Sequence, residues 1–306
     1  MEINNKMQVT IDQLRKVKGI GEKTIERIIE QYAEPSVYDT SCKPYKAHEL
    51  DYRDESNWLM YGDCLERMRE IPDGSVDMIM VDVPYGTTAC KWDEIIPLEP
   101  MWESINRVVK NSAAIVMTSS QPFTTILINS NIENFAHAWV WNKRFAGNFV
   151  QARRQPLKDH EDVIVFCKSG KQPSYYPQMI DREEPIKQGG NGQKEGKAIP
   201  IAKTEAWKKL NNNKKTYDKK FPTTTTTVFS NRGAEDRGLH FTQKPVALGR
   251  YLIRTYTNEG ETVLDFTFGS GTTGVACRNS NRKFIGIELD ENYYKLGRDR
   301  ILNGDK

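Results

Sequence analysis

From Asn57 onward, short apolar runs alternate with stretches of helical spacing. Trp58–Tyr61, Asp77–Val81 and Ala113–Thr118 are brief and rich in Ile, Val and Met, the pattern of strands buried on both faces. Cys64–Glu70 and Leu98–Lys110 lie between them and read as helices, which predicts parallel neighbours. The alternation then lapses. Ala138–Lys143 and Asp162–Lys168 predict strands flanking basic sequence, Lys187–Lys220 reads as long loops, and the threonine run Thr223–Thr227 permits a strand. It resumes with a helix over Val246–Thr257, a strand at Thr262–Asp265, a helix from about Thr272, a strand at Lys283–Glu288 and a helix over Asn292–Leu302. The sum is an α/β fold: a doubly wound, mostly parallel, Rossmann-like sheet interrupted by an insert. Ahead of it, Thr10–Tyr32 reads as two helices around a tight turn, and Ala33–Glu55 as a polar connector holding Pro35 and Pro44. The expected units are therefore 1–34, a linker 35–56, a first half-domain 57–140, an insert 141–239 and a second half-domain 240–306.

Composition removes several classes. Over 306 residues the chain is 38% hydrophobic and 10% aromatic, too apolar for a disordered chain. No apolar run approaches the ~20 residues that span a bilayer, and Met1–Thr10 lacks a basic start followed by an apolar stretch. Membrane spanning and secretion are not expected. Cys42, Cys64, Cys90, Cys167 and Cys277 are odd in number and scattered, so a cytoplasmic protein without a disulfide framework or metal is expected. Net charge is +3, but Trp141–Phe221 holds 18 Lys and Arg against 9 Asp and Glu, a local +9 that leaves −6 elsewhere. A basic middle in an acidic body suits a polyanion, and equally a solvated lysine-rich insert.

Two segments carry chemistry. In Thr262-Val-Leu-Asp-Phe-Thr-Phe-Gly-Ser-Gly-Thr-Thr-Gly274 an apolar strand ends in an acid, a glycine turn and a helix start. Gly269 and Gly271 allow a sharp turn and close approach to a ligand, and Thr272 and Thr273 are candidate caps for a helix that favours an anionic group. The next strand ends in Glu288, 23 residues beyond Asp265, a spacing suited to ribose hydroxyls. Together these point to a nucleoside cofactor. No phosphate loop is present. Gly269, Gly271 and Gly274 begin a dinucleotide fingerprint that an acid and two aromatics crowd, which leaves a dinucleotide conceivable. The second segment, Val76-Asp-Met-Ile-Met-Val-Asp-Val-Pro-Tyr-Gly86, places Asp82, Pro84 and Tyr85 just past a buried strand. A carboxylate and a ring around a rigid proline can hold a planar amine, and can equally form only a turn.

Four boxes in order resemble the β class of amino-group DNA methyltransferases over about Asn57–Leu302. Gly62-Asp63-Cys64 matches the early box, Asp82-Val83-Pro84-Tyr85 the acidic-Pro-Pro-aromatic box, His240-Phe-Thr-Gln-Lys-Pro245 the His-Pro-Thr-Gln-Lys-Pro segment, and Asp265–Thr273 the cofactor box. The β-class order runs from catalytic box through target-recognition region to cofactor box. The resemblance implies S-adenosylmethionine as cofactor and N6 of adenine in double-stranded DNA as target. Cytosine N4 is the alternative, and a catalytically weakened methylase-like DNA-binding protein or an RNA methylase are others. It implies catalytic roles for Asp82, Pro84 and Tyr85. It implies contact of Asp63 with the cofactor's adenine, of Glu288 with its ribose, and of Asp265 and the Gly269–Thr273 turn with its methionine end. Cys64, Phe266 and Thr267 lie within these boxes, with Thr242 and Lys244 nearby. Asp63 could instead cap a helix, Asp265 fix the glycine turn and Lys244 stand in solvent.

The departures are Val83 and Phe241 in place of prolines, with Phe266 and Phe268 in the cofactor box. Valine restores an N–H and loosens the loop. Lys143, Arg144, Arg153 and Arg154 are candidate phosphate contacts. Gly86–Trp92 is a candidate lid, with Trp92 either a wedge or core. Leu14–Ile29 resembles a helix-hairpin-helix element whose Gly19-Ile20-Gly21 turn, beside Lys18 and Lys23, would meet a DNA phosphate; an ordinary helical hairpin is the alternative. A homodimer is a further open expectation, and localisation would be cytoplasmic, at the nucleoid through DNA.

Overall fold

The computed structural model describes residues 48–86, 93–144, 146–170, 172–181, 220–222, 226–228 and 243–304. The hairpin with Lys18, Gly19, Gly21 and Lys23, the lid residues 87–92, most of Lys187–Lys220, and Thr242 lie outside them. In chain order the elements are β1 (Tyr52–Arg53), β2 (Asn57–Tyr61), α1 (Cys64–Arg67), β3 (Val76–Val81), α2 (Leu98–Val108), β4 (Val109–Ser119), α3 (Phe123–Asn129), β5 (Phe135–Asn142), β6 (His160–Cys167), β7 (Met179–Asp181), β8 (Lys220–Pro222), β9 (Thr226–Val228), α4 (Val246–Tyr256), β10 (Thr262–Asp265), α5 (Thr272–Arg278), β11 (Lys283–Glu288) and α6 (Glu291–Asn303).

Nine of these strands form one sheet in the order β1-β2-β11-β10-β3-β4-β6-β5-β9, and β7 pairs with β8. Neighbours from β2 to β4 are parallel. The sheet is mixed, however, because β6 runs antiparallel to both β4 and β5, and β1 antiparallel to β2. Tyr52–Arg53 thus joins the sheet from within the stretch read as a connector. Strand alternation sorts side chains into two cores. Met60, Ile79, Val81, Ile115, Met117, Ile164 and Leu264 face α1, α2 and α3. Leu59, Met78, Met80, Val116, Val163, Val263 and Phe284 face α4, α5 and α6. This two-sided cover is why the strands read as unbroken apolar runs.

Local signals explain most boundaries. In α2, Met101, Trp102, Ile105 and Val108 recur on one face and are buried. Its end is two residues earlier than the pattern predicts, since Val109 turns extended and opens β4. Asp63 and Asp290 cap α1 and α6 through their side chains. The pattern does not signal α3, where Thr124, Thr125, Ile126 and Ile128 are all β-branched.

Glycines allow the last helix to close on the glycine turn. A Cβ on Gly297 of α6 would lie 2.6 Å from both the Gly269 carbonyl oxygen and Phe268 Cε2. Gly297→Ala should therefore destabilise the fold by about 2–3 kcal/mol, the upper part of the range for overpacking. Differential scanning calorimetry would show this as a midpoint lower by roughly 3–5 °C, and an unchanged midpoint would refute the packing argument.

Candidate active site at the sheet switch point

The chain path fixes where a ligand can enter. From β10 it proceeds outward through β11, whereas from β3 it proceeds the other way through β4, so β3 and β10 are the neighbours at which the order reverses. In such sheets the crevice lies beyond the carboxyl ends of those strands. Val263 pairs with Met78 and Leu264 with Ile79, which brings Asp82 and Asp265 out at the same edge. The two chemical segments are also joined directly, as Thr267 Oγ1 donates to the Asp82 carbonyl oxygen at 3.1 Å.

Asp82 is held from three sides. Tyr85 Oη donates to its Oδ1 at 2.7 Å, Thr118 Oγ1 donates to the same oxygen, and Lys244 Nζ lies 2.6 Å from Oδ2. A carboxylate offers about four acceptor positions, so among the described residues one remains, on Oδ2. Tyr85 stacks on Phe123 at 5.3 Å and 23°, with Lys244 Nζ 5.9 Å from the Tyr85 ring centroid. Burial, and then the Asp82 charge, push the Tyr85 phenol well above its usual pKa, so it stays a donor at neutral pH. The loop beyond Pro84 is held by Asp93 Oδ1, which accepts from Tyr85 N at 2.8 Å and Gly86 N at 2.9 Å. Val83 itself is buried in the core below α1 to α3.

Lys244 is not the solvated lysine one reading allowed. Its side chain is 13% exposed and also lies 3.6 Å from Glu161 Oε2. Burial works against its charge, but Asp82 and Glu161 outweigh that and hold its pKa above the ordinary value.

On the cofactor side, Asp265 is 4% exposed. Its Oδ1 accepts from Thr267 N at 3.1 Å, and Thr273 adds a side-chain hydrogen bond. Burial pushes this carboxyl up to about 7, helped by the neighbouring charges of Asp82 and Glu288. A buried acid flanked by other acids fits a ligand that brings its own cation. Gly269 has φ +51°, and a Cβ there would meet nothing nearer than Thr267 O at 3.9 Å, so this turn has an open side. Glu288 Oε2 accepts from Gly269 N at 2.8 Å and Oε1 from Asp290 N at 2.8 Å. Burial raises the Glu288 pKa. Gly62 N donates to Glu288 O at 2.9 Å, which brings the Gly62–Asp63 turn against the end of β11.

Several expected ligand contacts have structural employment. Asp63 Oδ1 accepts from Leu65 N and Glu66 N as the cap of α1. Cys64, Phe266 and Phe268 are buried in the two cores, and burial pushes the Cys64 thiol up to about 12. Thr272 and Thr273 do not cap α5: the cap position is Gly271, in the left-handed region, with no side-chain bond. Thr272 Oγ1 instead accepts from Arg300 Nη1 at 3.3 Å. Gly271 serves packing, since a Cβ there would lie 2.8 Å from the Gly297 carbonyl oxygen.

On the basic side, Lys143 turns inward, its Nζ 2.9 Å from Glu161 Oε1. Arg144, Arg153 and Arg154 are exposed on the β5–β6 loop. Lys158 ties this loop to the catalytic edge through Ser120 Oγ at 2.7 Å. Phe149 and Val150, 65% and 99% exposed, stand on the same loop and carry no motif. Sequence reasoning also passed over Thr118, Asp93, Phe123 and Glu161. For Thr118 a signal existed: β3 and β4 are successive parallel strands, and pairing of Val81 with Met117 sets Thr118 opposite Asp82. Among the described residues, no three His, Cys, Asp or Glu side chains converge on a metal site, and no helix is long and apolar enough to cross a membrane.

The chain is similar to known DNA methyltransferases in sequence and in fold. A family profile described as DNA methylase, covering N6 and N4 methyltransferases, matches residues 76–299. The Escherichia coli K12 protein named DNA adenine methyltransferase YhdJ is 28% identical over 277 residues, covering 86% of each chain. Type II methyltransferase M.HpaI of Haemophilus parainfluenzae is 22% identical, covering 79% of this chain and 73% of its own. Among solved structures, the PvuII cytosine-N4-specific DNA methyltransferase superposes with a TM-score of 0.57 at 17% identity, covering 83% of this chain and 95% of that one. The M1.HpyAVI–SAM complex superposes at 0.53 and 20% identity, covering 80% and 99%. With the family profile matching 76–299 of its 306 residues, the chain belongs to the DNA methylase family of S-adenosylmethionine-dependent amino-methyltransferases.

Proposed function

We propose that the protein methylates the N6 amine of adenine in double-stranded DNA, with the target base flipped out of the helix. The observation that carries this is the acceptor position on Asp82 Oδ2 that the described residues leave open at the switch point. The resemblance of the acidic Asp82-Val83-Pro84-Tyr85 box and the adenine specificity in the name of the Escherichia coli relative support adenine over cytosine.

S-adenosylmethionine supplies, when bound, a sulfonium methyl as electrophile. Asp265 would take its amino group, Gly269 and its neighbours would lie along its methionine end, and Glu288 and Asp63 would face its ribose and adenine. The target amine is a poor nucleophile because its lone pair is delocalised into the ring. Asp82 Oδ2 and the carbonyl region of Pro84 accept its two N–H bonds, favouring a tetrahedral nitrogen whose lone pair points at the methyl. With the cofactor bound, this nitrogen would take the methyl as the C–S bond breaks, the sulfur keeping that electron pair. The methylated nitrogen then releases its proton toward Asp82 and solvent, since a carboxylate is too weak a base to take it beforehand. Aligning two bound reactants can supply about 7–11 kcal/mol of the rate enhancement at best. The exposed Arg144, Arg153 and Arg154 would meet phosphates beside the flipped base.

The test is incubation with duplex DNA and methyl-labelled S-adenosylmethionine, followed by nucleoside digestion and mass spectrometry. Labelled N6-methyladenine is expected. Labelled N4-methylcytosine would move the target to cytosine, and no label on varied DNA, with cofactor binding shown separately, would overturn the reading.

A further inference from the structure

Four ionic side chains run in a line away from the reacting edge. Asp82 follows β3, Lys244 precedes α4, Glu161 lies in β6 and Lys143 follows β5. Lys244 Nζ is 2.6 Å from Asp82 Oδ2 and 3.6 Å from Glu161 Oε2, while Lys143 Nζ is 2.9 Å from Glu161 Oε1. Lys244 thus sits at full hydrogen-bond length from one acid and stands farther from the other. Glu161 is 18% exposed, and its Oε2 is buried and makes no hydrogen bond among the described residues. A buried carboxylate oxygen with unused acceptor capacity is costly to keep. Here that capacity is directed at the ammonium beside the catalytic acid.

We propose that Glu161 is a positioning residue for methyl transfer, which acts through Lys244 to keep Asp82 Oδ2 able to accept the target amine. The inference rests on the reading of Asp82 as that acceptor. Lys244 aims the carboxylate, but an ammonium fully closed on Oδ2 would compete with the amine for the same oxygen. Glu161 offers it a second anion. A shift of about 1 Å toward Oε2 would bring the longer contact to hydrogen-bond length as the amine arrives. No proton or covalent bond changes hands in this step, and the total charge of the acid–lysine–acid group is constant. Lys143 holds the far oxygen of Glu161 and so fixes the direction in which the near one points.

The experiment measures single-turnover methyl transfer to duplex DNA at saturating labelled S-adenosylmethionine. Cofactor affinity is read by calorimetry and DNA affinity by fluorescence anisotropy. The proteins are wild type, Glu161→Gln, Glu161→Asp, Lys244→Met and the Glu161→Gln/Lys244→Met double variant. Glu161→Gln is expected to slow transfer by about tenfold or more, with both dissociation constants within about twofold of wild type. Glu161→Asp, which keeps the charge, should recover most of that loss. In the Lys244→Met background Glu161→Gln should cost nothing further, because its effect passes through the lysine. A wild-type rate in Glu161→Gln, a loss confined to either affinity, or an undiminished effect without Lys244 would each overturn the proposal. Wild-type protein that labels no DNA would overturn the reading of Asp82 along with it, whereas labelled wild type with unaffected variants would overturn this inference alone.

Discussion

Asp82→Ala is expected to slow methyl transfer by about a thousandfold or more, the scale seen when an oriented polar group is removed from a reacting centre. Binding of S-adenosylmethionine should stay within about twofold, because the residues proposed to hold the cofactor follow β2, β10 and β11 rather than β3. The hydrogen bond that joins the two segments uses the Asp82 main-chain carbonyl, which accepts from Thr267 Oγ1 and survives the substitution. The stability cost should be modest. Asp82 is 34% exposed and Lys244 retains Glu161 as a counterion, so about 1–2 kcal/mol is expected, less than the 3–5 of a fully buried broken pair. Single-turnover labelling together with calorimetric cofactor titration separates the two effects. Near-normal turnover would remove Asp82 from its role, and lost cofactor binding would make it structural.

The sequence carried the parallel half of the sheet well, since strands buried on both faces must be apolar throughout and β3, β10 and β11 are. It also located Asp82 and Asp265, because carboxyl ends of such strands are where acids face a crevice. It carried the other half less well. Period-two and apolar runs identify β5 and β6 as strands but hold no information on direction, and the direction of β6 decides the site. Running antiparallel between β4 and β5, it brings its N-terminal end, with Glu161, to the edge where β3 ends. The same reversal turns Lys143 from a surface cation into a partner of Glu161. Position within a run of positive charge therefore did not tell Lys143 from the exposed Arg144, Arg153 and Arg154. Phe266 shows the converse limit: it lies inside the cofactor box, yet its ring is core, because the strand–turn geometry points that position into the sheet packing.

Asp265 gives the second large effect, and its sign follows from burial. In the free protein its carboxyl titrates near 7, so it is mostly neutral at pH 5.5 and mostly ionised at pH 8. The folded chain holds this proton more tightly than the unfolded chain, whose value is 3.8. Its contribution to stability is therefore fully present below about pH 4 and is lost as pH rises through 7, on the order of 4 kcal/mol in all. An ammonium group reverses the preference, since only the ionised acid pairs with it. Binding of S-adenosylmethionine should thus weaken as pH falls. At pH 5.5 only about 3% of Asp265 is ionised, and the apparent dissociation constant should be roughly 30-fold higher than at pH 8. Proton release on binding should accompany this below pH 7, visible as a calorimetric enthalpy that depends on the buffer. Asp265→Asn cannot ionise. It should bind about 10–100-fold more weakly than wild type at pH 8, with an affinity that is flat across this range, and its free form should no longer lose stability between pH 5.5 and 8 through this group. A wild-type affinity independent of pH, or an equal pH dependence in Asp265→Asn, would assign the cofactor's amino group to another partner.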